Sequence, residues 1–233
     1  MATYEKVSRF RQLRNDMKDM TFGEKIGHLW EYYKWFAIVG IALIIATVSV
    51  VFSVLENSKE LAYGGKIVNL AITEEGEHYL KEGWFEAQGG DSENQRIELE
   101  TLLIPNLNDA AYNENAAATA TKLVTTITMG EVDYVLADLD TIIFLCRDGS
   151  FSPLSDVLTA EQLQQFEGKL FAYKSDTEEY WVAIDITELP FVKKHISLSD
   201  GEQDNRVCIA FPGNTGRSEK NGEFLEYLLN WSE

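Results

Sequence analysis

The chain has only two cysteines, Cys146 and Cys208, and three histidines, His28, His78 and His195, among its 233 residues. No Cys-x-x-Cys pair and no Cys/His zinc spacing can be drawn from so few, and the scattered histidines compose no metal centre. Both cysteines stand in apolar runs, "IIFLCR" and "RVCIAF". Cysteine in such surroundings behaves as a small buried hydrophobe, although an oxidising exterior would also permit a disulfide between the two. Basic residues are scarce as well: 20 Lys/Arg face 38 Asp/Glu, a net charge of −18. That balance argues against nucleic acid and against docking onto anionic lipid. The glycine-rich "FPGNTGRSEKNG" lacks the Gly-Lys-Ser/Thr ending of a phosphate loop, so its glycines are read as turn residues. There is no Gly-x-Ser-x-Gly elbow and no His-Glu-x-x-His. With no nucleophile, base and stabiliser that sequence alone would unite, the chain is expected to be a non-enzyme without cofactor or metal. It shows no internal repeat and no low-complexity tract.

Charge is missing altogether from Trp35 to Leu55, a run of 21 residues. As a helix this spans roughly 31 Å, enough for a hydrocarbon core of about 30 Å, so 35–55 is expected to cross a membrane. Trp30, Tyr32, Tyr33, Lys34 and Trp35 crowd its entrance. Their amphipathic rings and a snorkelling ammonium suit the headgroup layer. Residues 1–34 carry seven Lys/Arg against five Asp/Glu, a net of +2, which leaves −20 for residues 35–233. Basic flanks stay inside, so the leader 1–34 is expected in the cytoplasm and the bulk of the chain outside the cell membrane. A cleaved secretory signal would have a shorter apolar region and a small-x-small site; "VLENSKELAYGG" offers none, and the run reads as an uncleaved signal anchor. Ile26, Trp30 and Tyr33 are spaced for helix, and no proline separates Lys25 from Trp35, so the leader is expected to continue the membrane helix. Ala42, Ala46, Ser49 and Ser53 form one stripe of small residues. The stripe suits packing against a second copy or a partner's helix, or is chance in a composition rich in Ala and Ser.

After a linker expected at 56–64, some 169 residues from Gly65 to Glu233 suffice for one domain with a real core. "KIVNLAIT" (66–73), "RIELETLLI" (96–104) and "VDYVLADL" (132–139) read as strands, with a helical or irregular stretch after the first and "NENAAATATKLVTTITMG" as a helix before the third. In that helix Ala116, Ala120, Leu123, Val124 and Ile127 share a face, and Gly130 is the natural stop. Asp133 is expected at a strand entrance. Asp140 is expected to cap the short helix "TIIFLCRD", and Ser218 the closing helix. Thr159 and Gln162 have capping-box spacing, with Leu158 and Leu163 as its hydrophobic staple. "LFAYKS", "YWVAIDI" and "RVCIAF" are β-like. The alternation predicts an α/β, three-layer domain on a mostly parallel sheet, with the first three strands as parallel neighbours.

"GEVDYVLADLDTIIFLCRDGSFSPLSDVLT" resembles the third βα unit of type 2 periplasmic solute-binding proteins, and "RVCIAFPGNTGRSEKNGEFLEYLLN" their returning strand and final helix. The leader "EKIGHLWEYYKWF" resembles small anchored proteins of Gram-positive, clostridia-like bacteria that carry such a domain. The resemblance covers about 65–230 and the anchor, and it implies the fold of one lobe. In the family the chain then leaves to build a second lobe of 100 or more residues. In this sequence only some 20 residues separate Leu158 from Tyr180, so a two-lobed clamp cannot form and capture of a small solute is expected to be weak.

Ligands of open parallel sheets sit beyond the strand C-termini, which makes Thr73, Asp138 and Asp140 the candidate contact surface. Asp138 and Asp140 also have the two-residue spacing that some metal-dependent transferases use; the simpler reading is a strand end and a helix cap. The expected function is a membrane-anchored binding or interaction domain that contacts another envelope protein, a second copy or a small ligand. The alternative is an anchored hydrolase or transferase using Asp138 and Asp140.

Overall fold

The computed structural model describes residues 21–104, 114–147, 149–174, 179–198 and 206–232. The chain divides into two units, residues 1–58 and residues 59–233.

Among the described residues the first unit is one helix, α1, Phe22–Asn57. It runs unbroken through Lys25–Trp35, as the absence of proline there predicts. Its apolar segment, Lys34–Asn57, is long enough to cross a membrane, and the same length and composition near an N-terminus also suit a signal sequence. Trp30 and Trp35 are exposed, whereas the side chains of Tyr32 and Tyr33 lie outside those described. Ala42, Ala46, Ser49 and Ser53 are exposed along α1. The helix ends where the Ser58 hydroxyl donates to the Leu55 carbonyl at 2.7 Å.

The expected linker 56–64 is not a free segment. Helix α1 reaches Asn57, and strand β1, Glu60–Val68, begins three residues later because Glu60 and Leu61 already pair with β3, Gln95–Leu102. The predicted strand 66–73 is also two elements. Asn69 turns the chain at φ 57°, a left-handed conformation that Asn tolerates better than other side chains. Past it, β2, Leu70–Ile72, leaves the main sheet and pairs antiparallel with β7, Ile196–Leu198.

The main sheet has six strands in the order β3-β1-β4-β8-β6-β5, where β4 is Tyr134–Asp138, β5 Leu170–Lys174, β6 Glu179–Asp185 and β8 Val207–Ala210. β3, β1 and β4 are parallel neighbours, as the sequence predicts. β8 enters antiparallel between β4 and β6, and β5 returns antiparallel along β6. Four strands therefore run one way and two the other, a mostly parallel sheet.

Alternate residues of the central strands feed two cores. Tyr63, Ile67, Tyr134, Leu136, Val207 and Ile209 face one, and Val68, Val135, Ala137, Cys208 and Ala210 the other. Helices close both faces, which is why β4 and β8 are buried throughout and, except for Asp138, apolar. On the first face lie the helical stretch α2 (Glu74–His78), a π-turn (Tyr79–Gly83) and α3 (Trp84–Ala87), together with the C-terminal helix α8, Glu219–Leu229. On the second lie α4, Glu114–Thr128, and α5, Leu139–Cys146. The expected face of α4 is the buried one, and Gly130 follows it at φ 73°. Neither cysteine forms a disulfide; both are buried. Gly64 and Gly65 are required by close approach: a Cβ on Gly64 would meet the Glu131 carbonyl oxygen, and one on Gly65 the Tyr134 ring, each at 2.2 Å.

One expected cap is absent. Ser218 makes no side-chain cap, because its own backbone is already helical at φ −58° and ψ −22°. The segment after β6 is a short helix, α7, Pro190–His195, with proline pre-setting its first turn.

Strand β3 lies at one edge of the sheet and carries a charged face. Lys66 is almost fully buried and donates to Glu98 at 2.9 Å and Glu100 at 2.8 Å, while Arg96 holds Glu98 at 2.7 Å and Lys122 holds Glu100. Burial pushes the two carboxyls up, but hydrogen bonds and charge from their cationic partners outweigh it and hold both below the ordinary value of 4.5. For Lys66 burial pushes the ammonium down, and bonding to Glu100 and Glu98 outweighs it and raises it above 10.5. Carboxyls depressed in the folded state stabilise it above their unfolded value, and that share is lost as pH falls through the folded value. The lysine's share is complete below its unfolded value and lost only as pH rises through the raised one. Acidification from about pH 7 to about pH 3 is therefore expected to lower the urea midpoint of the wild type more than that of the Glu98→Gln/Glu100→Gln variant. Equal losses in the two proteins would contradict this.

Candidate interaction surface

β3 and β4 flank β1 on opposite sides, so the carboxyl ends of β1 and β4 mark the topological switch point where open α/β sheets hold ligands. Here the chain's own side chains occupy that point. Asn69 accepts from the Ile104 backbone N–H at 2.7 Å and donates to the Thr141 hydroxyl at 3.0 Å. The Thr141 hydroxyl donates onward to Asp138 at 2.7 Å, and the Thr141 backbone N–H donates to the other carboxylate oxygen at 2.9 Å. Asn69, Asp138 and Thr141 are all buried. The network stitches the ends of β1, β3 and β4 to the start of α5.

Asp138, expected on a contact surface, is thus fully buried, and it, rather than Asp140, caps α5. The cap falls there because Asp138 has extended backbone (ψ 158°) while the helix already begins at Leu139. Asp140 lies half-buried in the first turn. Asp185 is engaged elsewhere: it accepts from the Thr187 N–H at 2.9 Å and hydroxyl at 2.6 Å. Among the described residues no group of three His, Cys, Asp or Glu side chains is arranged to hold a metal ion. Thr73 is exposed but committed: it caps α2 through the Gly76 N–H at 3.1 Å, and its hydroxyl lies 2.7 Å from Nδ1 of buried His195. Asp133 has the structural place expected of it, at the entrance of β4. It is fully buried, accepts from the Gly64 N–H at 2.7 Å and meets Nε of Arg217 at 3.1 Å from both oxygens.

The domain opens instead beside β5, the other edge of the sheet. The capping box predicted at Thr159 and Gln162 is formed in both directions and starts α6, Ala160–Gln164. Leu158 is buried and Leu163 packs on the same core, as a staple requires. Gly168, at φ 80°, then turns the chain over Phe166 into β5. Between this turn and β6 lies an open groove of about 570 Å³, lined by Ala160, Leu163, Gln164, Glu167, Leu170 and Trp181. The β5–β6 register shifts between Phe171/Ala183 and Ala172/Trp181, so β6 carries one extra residue, Val182, just past the tryptophan. Trp181 is 49% exposed and is the one aromatic ring among the exposed large apolar side chains of the described residues after 58. In the sequence it stands inside an ordinary strand pattern, "YWVAIDI", with nothing to mark it. A smaller cavity of about 260 Å³ near Tyr63, Trp84, Gln88 and Lys220 falls short of the roughly 300–1,000 Å³ usual for small-molecule pockets.

Comparison with protein families, with curated proteins and with solved structures returns no match for this chain.

Proposed function

We propose that the chain is a single-pass membrane protein whose outer domain docks a protein of the cell envelope and performs no chemistry of its own. In this reading α1 is an uncleaved anchor, the leader is cytoplasmic, and residues 59–233 lie outside. The +2 leader and the −20 that follows it support that orientation. The likeness to one lobe of a type 2 solute-binding protein belongs to the same proposal. Its support is that β8 and α8, the segment resembling the family's returning strand and final helix, come back beside β4 after three parallel strands.

The observation that carries the reading is a contrast between two ends of one sheet. The switch point is occupied by Asn69, Thr141 and Asp138, while the edge at β5 presents an open groove and a half-exposed tryptophan. A lone lobe has no opposing wall to enclose a small solute, but a groove of this kind suits a protein surface.

Protease added to intact protoplasts is expected to digest the domain after Leu55 and leave a small protected N-terminal fragment. Protection of the whole chain would overturn the topology. Titration calorimetry with common sugars and free amino acids is expected to show no binding at micromolar concentrations, and a clear signal there would favour solute capture instead.

A further inference from the structure

Building on that docking reading, we propose that the groove and the free edge of β5 receive an extended, Lys/Arg-rich segment of a partner protein as an added strand, with one large apolar side chain seated against Trp181. β5 pairs only with β6, so its other side offers unpaired backbone N–H and C=O groups among the described residues. Such edges are normally blunted by charge. The opposite edge strand is: on β3, Arg96, Glu98 and Glu100 stand on one face in a network with Lys66 and Lys122. β5 is "LFAYK", with its one charge at the last position. An edge left open beside a groove that offers Leu163, Leu170 and Trp181 is the geometry of strand addition, in which the backbone supplies affinity and a pocket for alternate side chains supplies selectivity.

Charge selects the occupant. Residues 156–185, which build α6, β5, β6 and the groove, carry seven Asp/Glu against two Lys, a net charge of −5. Glu167 lines the groove itself, and Glu161 and Glu179 are exposed on the elements around it. A second copy would bring the same −5 against it, from a domain whose residues 59–233 total −19. Like charges across an interface oppose association, and a basic strand meets the same field with the favourable sign. An extended chain also keeps lysine and arginine heads in the open groove while alternate apolar side chains reach Leu163, Leu170 and Trp181.

The test places a photoreactive benzoyl-phenylalanine at position 181 of the full chain in its native membrane and maps the cross-linked segment by mass spectrometry. The expected product joins position 181 to a segment of another protein with net positive charge. A synthetic peptide of that segment, added to the full chain in zwitterionic nanodiscs, should slow amide exchange along β5. Its affinity should fall about 30-fold in Trp181→Ala, the size of a tryptophan hot spot, and remain unchanged in Leu103→Ala, an exposed residue outside the groove. Cross-linking to a second copy of the chain would overturn the proposal. So would an acidic segment, or one that binds without protecting β5; in those two cases docking at the groove would stand and the basic added strand would fall. Absence of any cross-link at 181 would sink both.

Discussion

Replacing Asp133 with alanine is expected to lower the unfolding free energy by about 3–5 kcal/mol, the cost of breaking a buried ion pair from one side. Asp133 is fully buried, accepts from the Gly64 N–H and Arg217 Nε, and forms an ion pair with Arg217 Nη2 at 3.0 Å. Arg217 also holds the Gly130 carbonyl at 3.0 Å, so the pair ties the end of α4, the middle of β1 and the loop before α8 to one point. Arg217→Ala should cost a comparable amount by stranding the carboxylate. Arg217→Lys should recover little, since a lysine cannot reproduce the fork that meets both oxygens and the carbonyl together. The double variant Asp133→Ala/Arg217→Ala should be less destabilised than the two single losses summed, because the second removal leaves no charge unpaired. Urea unfolding of the full chain in detergent, followed by near-ultraviolet circular dichroism, measures each value. An Asp133→Ala protein within about 1 kcal/mol of wild type would show that the pair contributes little.

The second large effect is expected at Asp138. Alanine there removes the cap of α5 and strands the Thr141 N–H and hydroxyl in the interior, a loss of about 2–4 kcal/mol. Asp138→Asn keeps one acceptor and should cost less. Asp140→Ala, two residues on and half-buried, should fall within about 0.5 kcal/mol of wild type. The same urea titration separates the two. A destabilising Asp140→Ala beside a neutral Asp138→Ala would contradict the assignment of Asp138 as the structural residue, and would return the pair to consideration as a functional one. Asn69→Ala, which disconnects the ends of β1 and β3 from Thr141, should resemble Asp138→Ala in size because it opens the same network.

Legibility in this sequence follows the range of the interactions. The capping box at Thr159, the buried face of α4 and the stop at Gly130 depend on residues three to five positions apart, and all three are where the pattern puts them. The parallel pairing of three strands was legible for a related reason: apolar runs separated by a helix leave few unknotted arrangements. The reading of 66–73 as one strand fails at a single residue, Asn69. Its left-handed turn is held by Ile104 and Thr141, 35 and 72 residues away. The choice between Asp138 and Asp140 as cap fails likewise. Both are good caps in isolation, and where β4 ends is decided by its pairing with β1 and β8.

The sequence by itself determined an apolar N-terminal helix long enough to span a membrane, a strongly acidic remainder, an α/β domain of mostly parallel strands and the starts and stops of several helices. These follow from composition and from local hydrogen bonding and hydropathy, which a linear chain displays directly. Only the tertiary structure decided that β8 runs antiparallel between β4 and β6, that Arg217 closes on Asp133 across 84 positions, and that the chain's own polar side chains fill the switch point. It also decided that Trp181 stands half in solvent beside an edge that is unpaired among the described residues. A strand's periodicity marks which side chains alternate, but whether a given face or edge is covered depends on which distant segments pack there, and that is a property of the folded chain.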